Sequence, residues 1–582
     1  MREETRRRRR TRALPILVAV LALIGGGTYT LTRSEDESGR EPQPTAEPLR
    51  TGDGEPVSAL PKKAYLRDGC NLPPKWVKRI HRGWAPGGIR DYDLVIVPKP
   101  PNYMGTFVNT SHSAPYDFLQ KVPLIFYGKG FVEPLGRVTL EREPTIADLA
   151  PTYARLMHFD KGFPERTAQP ITEVLKVTNE TPKLIVTAVV DGGGWNALEE
   201  WPDAWPFVKQ MIEEGANVEE TIVGSSPSIT PATHTNLSTG TFPRYHGVTA
   251  IAVRADDGSI VGSFSEAPGN PGPAVMDARV TMRKTTLADV WDRANGNEPL
   301  VGMLAAGNLQ LGMIGHGAAL EGGDKDIAAI LSRGEWATNP ELYSLPEYVN
   351  ADVPGPEGYV DAVDRADGQA DGKWKGHAIE PLDGTPAFAP WENRTMFEIM
   401  EREGFGADEV TDLFYVNYKA PDKAGHTWNM IAPEQEDVIR SVDDALAELV
   451  DWLDANVGEE EYVLVVTADH GQTPLGGWAI SRSEVSADIG REFDGIENGQ
   501  GVIGRTSASS FFSNPDEMEA NGVTPEQVAS FLSRYTIGDN IAEGADVPEG
   551  FEKRLDERIF DAVFPGRKLP KIVECTNALA EG

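Results

Sequence analysis

Two cysteines in 582 residues exclude a disulfide-stapled scaffold, and 55 Lys+Arg against 89 Asp+Glu leave no basic surface with which to neutralise a nucleic-acid backbone. A formal charge of −34 would slow the approach of any polyanion, so no nucleic-acid partner is expected. No internal repeat is visible, which argues against a solenoid or a collagen-like polymer. Histidine is scarce: there are nine, and none follows His470. What is present, 40% hydrophobic and 25% charged residues, is the make-up of a globular protein with ample chain for a large core.

The charge is unevenly spread. Residues 1–12 hold seven Arg and two Glu, so removing their +5 from −34 leaves −39 on the remainder. They precede twenty uncharged residues, 13–32, whose most apolar part runs from Leu14 to Ile24 before Arg33. A basic block, an apolar run and a charged flank predict an export signal over residues 1–33, either an uncleaved anchor or a cleaved signal peptide. Either reading places the bulk of the chain outside the cytoplasm: a single-pass protein of the cell membrane, or a secreted one. Residues 34–64 have few large apolar side chains and read as a disordered tether.

Beyond the tether, short apolar runs alternate with amphipathic patterns, which predicts an α/β fold with a mostly parallel central sheet flanked by helices. Strands are expected at 93–98, 122–127, 184–190, 300–304, 412–417 and 462–467. The clearest helix spans 434–456, with Val438, Val442, Leu446, Leu449 and Leu453 on one stripe; a second covers 146–157. Residues 322–392, rich in Gly, Pro and acids, are expected to hold a cap insertion without strands.

Ligand sites in open α/β sheets lie at the carboxyl ends of the strands. There, Val190 runs into Asp191-Gly-Gly-Gly194, the strand at 412–417 is followed by Asp422 and His426, and Thr467-Ala runs into Asp469-His470-Gly471. Carboxylates and neutral imidazoles are ligands for zinc and similar divalent ions. Thr230 stands at a turn into a small-residue helix, in SPSITPATHTNLSTG, where coordination to a cation would activate a weakly acidic hydroxyl. Taken singly each signal has an ordinary explanation: a turn former, a polar loop, a helix cap.

As an ordered set, Asp191, Thr230, Asp422/His426 in APDKAGH and Asp469/His470 in TADHGQTP resemble the alkaline phosphatase superfamily, closest to its nucleotide pyrophosphatase/phosphodiesterase branch. The resemblance spans most of 180–475. It implies two divalent metal ions, zinc by preference, one held by Asp191, Thr230, Asp469 and His470. The second would be held by Asp422, His426 and a further histidine that in the family follows the Asp-His-Gly segment. That histidine is missing from its place. However, Thr110-Ser-His112-Ser-Ala-Pro-Tyr, followed by Val122-Pro-Leu-Ile-Phe-Tyr127, resembles the family's C-terminal segment, which implies a circular permutation. Residues 65–178 would be that piece moved to the front of a single domain, 65–582, with His112 as the seventh ligand. Under this reading Cys70 and Cys575 would be nearly consecutive in an unpermuted relative, and could pair.

The resemblance implies a phosphothreonine intermediate on Thr230 and hydrolysis of a phosphorylated small molecule, nucleotide or lipid headgroup. Where relatives carry an Asn three residues after the nucleophile, this chain has Thr233, a partial substitute as donor to the phosphoryl oxygen. The Asn expected after His246-Gly247 in phosphomonoesterases is absent. A diester or pyrophosphate substrate is therefore favoured over a monoester. Trp195, Trp201 and Trp205 fit helix packing better than base stacking. A sulfatase would need a C/S-x-P-x-R motif, which neither Cys70-Asn-Leu-Pro-Pro nor Ser226-Pro-Ser-Ile-Thr matches. A phosphomutase relative would be expected in the cytosol, against the export signal. An inert metal-binding surface protein would have no use for a nucleophile.

Overall fold

The computed structural model describes residues 63–86, 92–105, 108–255, 257–265, 276–496 and 498–580. The export signal at 1–33 and all but the end of the tether lie outside the described residues. Among the described residues no helix is long and apolar enough to cross a membrane.

Leu184–Val190 and Tyr462–Thr467 are buried at every position, as continuous apolar strands must be when both faces of a sheet are covered. They lie at the middle of a nine-stranded sheet. Its order is Glu335–Ala337, Ile327–Ser332, Val301–Ala305, Asp412–Tyr418, Leu184–Val190, Tyr462–Thr467, Leu124–Tyr127, Ala216–Val218 and Gly136–Val138. The five strands from Ile327–Ser332 to Tyr462–Thr467 are mutually parallel, and Leu124–Tyr127 joins them antiparallel. Successive side chains of Leu184–Val190 point to opposite layers. Ile185 and Val189 pack with Ile146, Leu149, Tyr153 and Leu156. Val186, Ala188 and Val190 pack with the predicted stripe of the helix Pro433–Leu453. The fold is thus the expected mixed α/β sandwich.

Two expectations need correction. The strand at Leu94–Pro98 is not in the central sheet; it sits in a second, antiparallel sheet between Ser510–Ser513 and Phe560–Pro565. The stretch 322–392 is not free of strands, because Ile327–Ser332 and Glu335–Ala337 form the edge of the central sheet. The apolar run Ile327-Ala-Ala-Ile-Leu331 was its signal, hidden by polar neighbours. The rest of the stretch packs on the helical layer, where Trp374 is buried and its Nε1 donates to Asp437 of the helix Pro433–Leu453, and Asp383 of the same stretch meets Lys423 at 3.4 Å. Cys70 and Cys575 are joined by a disulfide, with their Cα atoms 5.6 Å apart. It ties the helix Ala64–Cys70 to the last helix of the chain, Leu569–Ala580.

Candidate active site

Strand register decides which loops meet. Val189 lies opposite Asn417 on one side and Thr467 on the other, so Asp191, Lys419–Asp422 and Asp469–His470 emerge side by side at one edge. His112 reaches the same edge because the strand it precedes runs the other way, with Leu124 opposite Thr467. Glycine allows the loops to approach. Gly192 has φ +71°, and a Cβ there would lie 3.0 Å from the Asp422 backbone; one on Gly194 would lie 2.5 Å from Gly471 Cα. The Gln472 amide pins the loops together, donating to the carbonyls of Gly192 at 3.0 Å and Pro421 at 3.2 Å.

The six expected carboxylate and imidazole ligands converge. Asp422 Oδ1 lies 3.5 Å from His112 Nε2, 3.3 Å from His426 Nε2 and 3.8 Å from His470 Nε2. His470 Nε2 also lies 3.5 Å from Asp191 Oδ1 and 3.3 Å from Asp469 Oδ2. In all three rings Nδ1 faces a carbonyl: that of Ser228 at 2.6 Å for His112, Thr110 at 2.8 Å for His426 and Gly471 at 3.0 Å for His470. A carbonyl only accepts, so each Nδ1 carries the proton and each Nε2 presents a lone pair to the site. Burial pushes His112 well below its ordinary pKa and lowers His470, which keeps both neutral.

Positive charge is short here. Burial, and then the neighbouring Asp191, push Asp469 well above the usual carboxylate range. Burial also opposes ionisation of Asp422, and Lys419, 2.8 Å from its Oδ2, favours it. Asp191 Oδ1, Asp469 Oδ2 and His470 Nε2 are buried without any hydrogen-bond partner. Orphaned acceptors of this kind, all oxygen and imidazole nitrogen, fit divalent cations of the zinc type.

Thr230 opens the helix Thr230–Thr239, every residue of which is buried. Such a polar helix tolerates burial because its hydroxyls bond back to its own carbonyls: Thr235 to Pro231 at 2.7 Å, Thr239 to Thr235 at 2.6 Å. The same habit removes Thr233 from the site. Its hydroxyl donates to Ile229 at 3.0 Å and Thr230 at 3.2 Å, and the residue is fully buried, so it is not the expected phosphoryl donor. Trp195 and Trp205 meet edge to face at 6.0 Å, and Trp201 donates to the Met430 carbonyl; they serve packing, as expected.

Three residues of the site were not anticipated. Lys419 Nζ bridges Asp191 Oδ2 at 2.9 Å and Asp422 Oδ2 at 2.8 Å and stands 3.4 Å from Thr230 Oγ1. Burial disfavours its charge, but Asp191, Asp422 and Asp469 outweigh that and raise its pKa above the ordinary lysine value. Asn417 donates to Asp191 Oδ2 at 3.1 Å and lies 2.9 Å from His234 Nε2, while His234 Nδ1 faces the Thr230 carbonyl at 2.9 Å. His234 lies beside Asp191 and Asp469. With both ring nitrogens engaged it orients the helix start and is not a free ligand. A lysine between a strand and the helix that follows, here at the N-cap of Ala420–Trp428, reads as a surface residue in sequence; only the strand register turns it inward.

The type I phosphodiesterase / nucleotide pyrophosphatase family model matches residues 185–535. Alkaline phosphatase PafA of Elizabethkingia meningoseptica is 22% identical over 332 residues, covering 50% of this chain and 60% of that protein. A Myroides odoratus protein named calcium-transporting ATPase is 23% identical over 452 residues, covering 66% of this chain and 79% of its own. The crystal structure of wild-type PafA superposes with a TM-score of 0.47 at 17% identity, over 67% of this chain and 85% of that one. The chain belongs to the type I phosphodiesterase/nucleotide pyrophosphatase family of the alkaline phosphatase superfamily, and is a metal-dependent phosphoric ester hydrolase.

Proposed function

We propose that this enzyme cleaves phosphodiester or pyrophosphate bonds outside the cytoplasm through a phosphothreonine at Thr230. The observation that carries the reading is the convergence of Thr230 with three buried carboxylates and three imidazoles whose Nε2 lone pairs face one another. Asp191, Thr230, Asp469 and His470 would hold one divalent cation, and Asp422, His426 and His112 the other. When bound, the two cations supply Lewis acidity to the reacting oxygens. The chain's own residues position the reaction. The first turn of the helix Thr230–Thr239 places the nucleophile where its helix dipole favours negative charge. Lys419 donates toward the Thr230 oxygen. Ser228, Thr110 and Gly471 keep the three rings in the Nε2-accepting tautomer. Residues 65–178 are the family's C-terminal piece moved to the front; in support, the family match begins only at residue 185, and His112 lies in the site.

The test measures bound metal and hydrolysis of chromogenic monoester and diester substrates by the wild type and Thr230→Ala. The variant is expected to keep its metal, to lose at least about a thousandfold in kcat, and to form no phosphoenzyme. A metal-loaded variant with full activity would sink the mechanism, and a wild type faster on the monoester would reverse the substrate reading.

A further inference from the structure

A cavity of about 350 Å³ opens on Thr230 and Lys419, and its other polar walls include Asn308, Gln310, Lys423 and Arg505. Hydrogen bonding fixes what these walls offer. The Asp191 carboxylate only accepts, so Asn417 turns its Nδ2 to it at 3.1 Å and its Oδ1 toward Gln310, whose Nε2 donates at 3.0 Å. Gln310 is therefore anchored to the metal-ligand loop. Asn308 also lines the cavity, but it is buried and its partnerless Nδ2 is closed to solvent.

Arg505 comes from the strand Ile503–Ser507, in the antiparallel sheet. Its hydrogen bond is to the Ile260 carbonyl at 3.5 Å, and among the described residues it forms no ion pair. By contrast Arg254, on the neighbouring hairpin, pairs with Asp93 at 2.9 Å. In a chain with 89 acids against 55 bases, a guanidinium with no carboxylate partner, lining the same cavity as the nucleophile, is available to an anionic ligand there. Lys423 adds a second cation, meeting Asp383 only at 3.4 Å.

We propose that Arg505, with Lys423, binds a second anionic group of the substrate, phosphoryl or carboxylate, on the arm beyond the reacting phosphorus. Arg505 thereby selects substrates with a charged arm over diesters whose arms are neutral. The inference rests on Thr230 being the nucleophile. In the first step the Thr230 Oγ–P bond forms as the P–O bond to the charged arm breaks, and the Thr230 proton passes to solvent water. The departing arm keeps the bond pair on its oxygen and stays under Arg505. One water then cleaves the Thr230 phosphoester, its hydroxide going to phosphorus and its proton restoring the threonine.

The test compares the metal-replete wild type with Arg505→Met and Arg505→Lys on three probes. These are a dinucleoside pyrophosphate, bis(4-carboxyphenyl) phosphate and bis(4-nitrophenyl) phosphate, whose arms are phosphoryl, carboxylate and neutral. Arg505→Met is expected to lose roughly 10- to 100-fold in kcat/KM, mainly through KM, on the charged-arm probes. It should stay within about twofold on the neutral probe, with Arg505→Lys intermediate. Loss on the pyrophosphate alone assigns the subsite to phosphoryl groups, and loss on both probes to anions in general. Equal change on all three probes, or none, overturns the inference. Thr230→Ala separates the two readings: if it leaves hydrolysis intact the nucleophile assignment has failed, and if it abolishes hydrolysis while Arg505→Met leaves the ratios unchanged, only the subsite has.

Discussion

Lys419→Met, which keeps the chain length and removes the charge, probes how the site balances its carboxylates. Lys419 is 8% exposed and bridges Asp191 and Asp422 at 2.9 and 2.8 Å, so the substitution leaves two buried carboxylates without their ammonium partner. Breaking a buried pair in this way costs about 3–5 kcal/mol. For a domain of roughly 500 residues the entropy of unfolding is near 1 kcal/mol per degree, so with chelator present the apparent Tm should fall by about 3–5 °C. Divalent cations at Asp191 and Asp422 would supply the missing charge, so saturating Zn²⁺ should raise the variant's Tm more than the wild type's and close most of the gap. At the chemical step the lost donor to Thr230 predicts a roughly 10- to 100-fold drop in kcat on a chromogenic diester. The assays are thermal unfolding with and without metal, and steady-state kinetics. Equal chelated Tm values for the two proteins, or a gap that metal does not narrow, would refute the charge-balance argument.

Two further predictions test other parts of the molecule. His112→Ala should lower bound metal from two ions to about one per chain, measured by atomic emission, because Asp422 and His426 alone make a poor zinc site; retention of two ions would remove His112 from the ligand set. Asp292 has a pKa raised to about 7 by burial and then by Asp324. The native state therefore holds this proton more tightly than the unfolded chain, and stability from this group falls as pH rises from about 4 to about 7. Asp292→Asn should, in chelator, be more stable than the wild type by about 1–2 kcal/mol at pH 8, with the advantage gone near pH 4, allowing for solvent screening by exposed Asp324; a pH-independent difference in denaturant titrations would contradict it.

The apolar runs were legible because both faces of the central strands are covered, so Leu184–Val190 and Tyr462–Thr467 are continuous in sequence as well as in space. Asp191, Asp422, Asp469 and His470 were legible as candidates because each follows such a run within a few residues. Thr233 misled for a local reason: spacing places a hydroxyl on a helix but cannot say whether it bonds back to its own turn. The strand at Ile327–Ser332 was lost among Gly, Pro and acidic neighbours, and a short edge segment gives little periodicity against such a background.

The amino-acid sequence by itself determined the candidate chemistry: a threonine at a helix start, carboxylates and imidazoles behind apolar strands, and a further histidine, His112, ahead of them all in the chain. Those depend on residue type and short spacing, which a linear string records. Only the tertiary structure decided that His112 meets Asp422, that Lys419 turns inward to bridge two carboxylates, and that Arg505 reaches the cavity over Thr230. The partners in those contacts lie 310, 228, 3 and 275 residues apart in turn. Strand register and the antiparallel entry of Leu124–Tyr127 bring the distant ones together, and for Lys419 they set the face that its helix turns to the site.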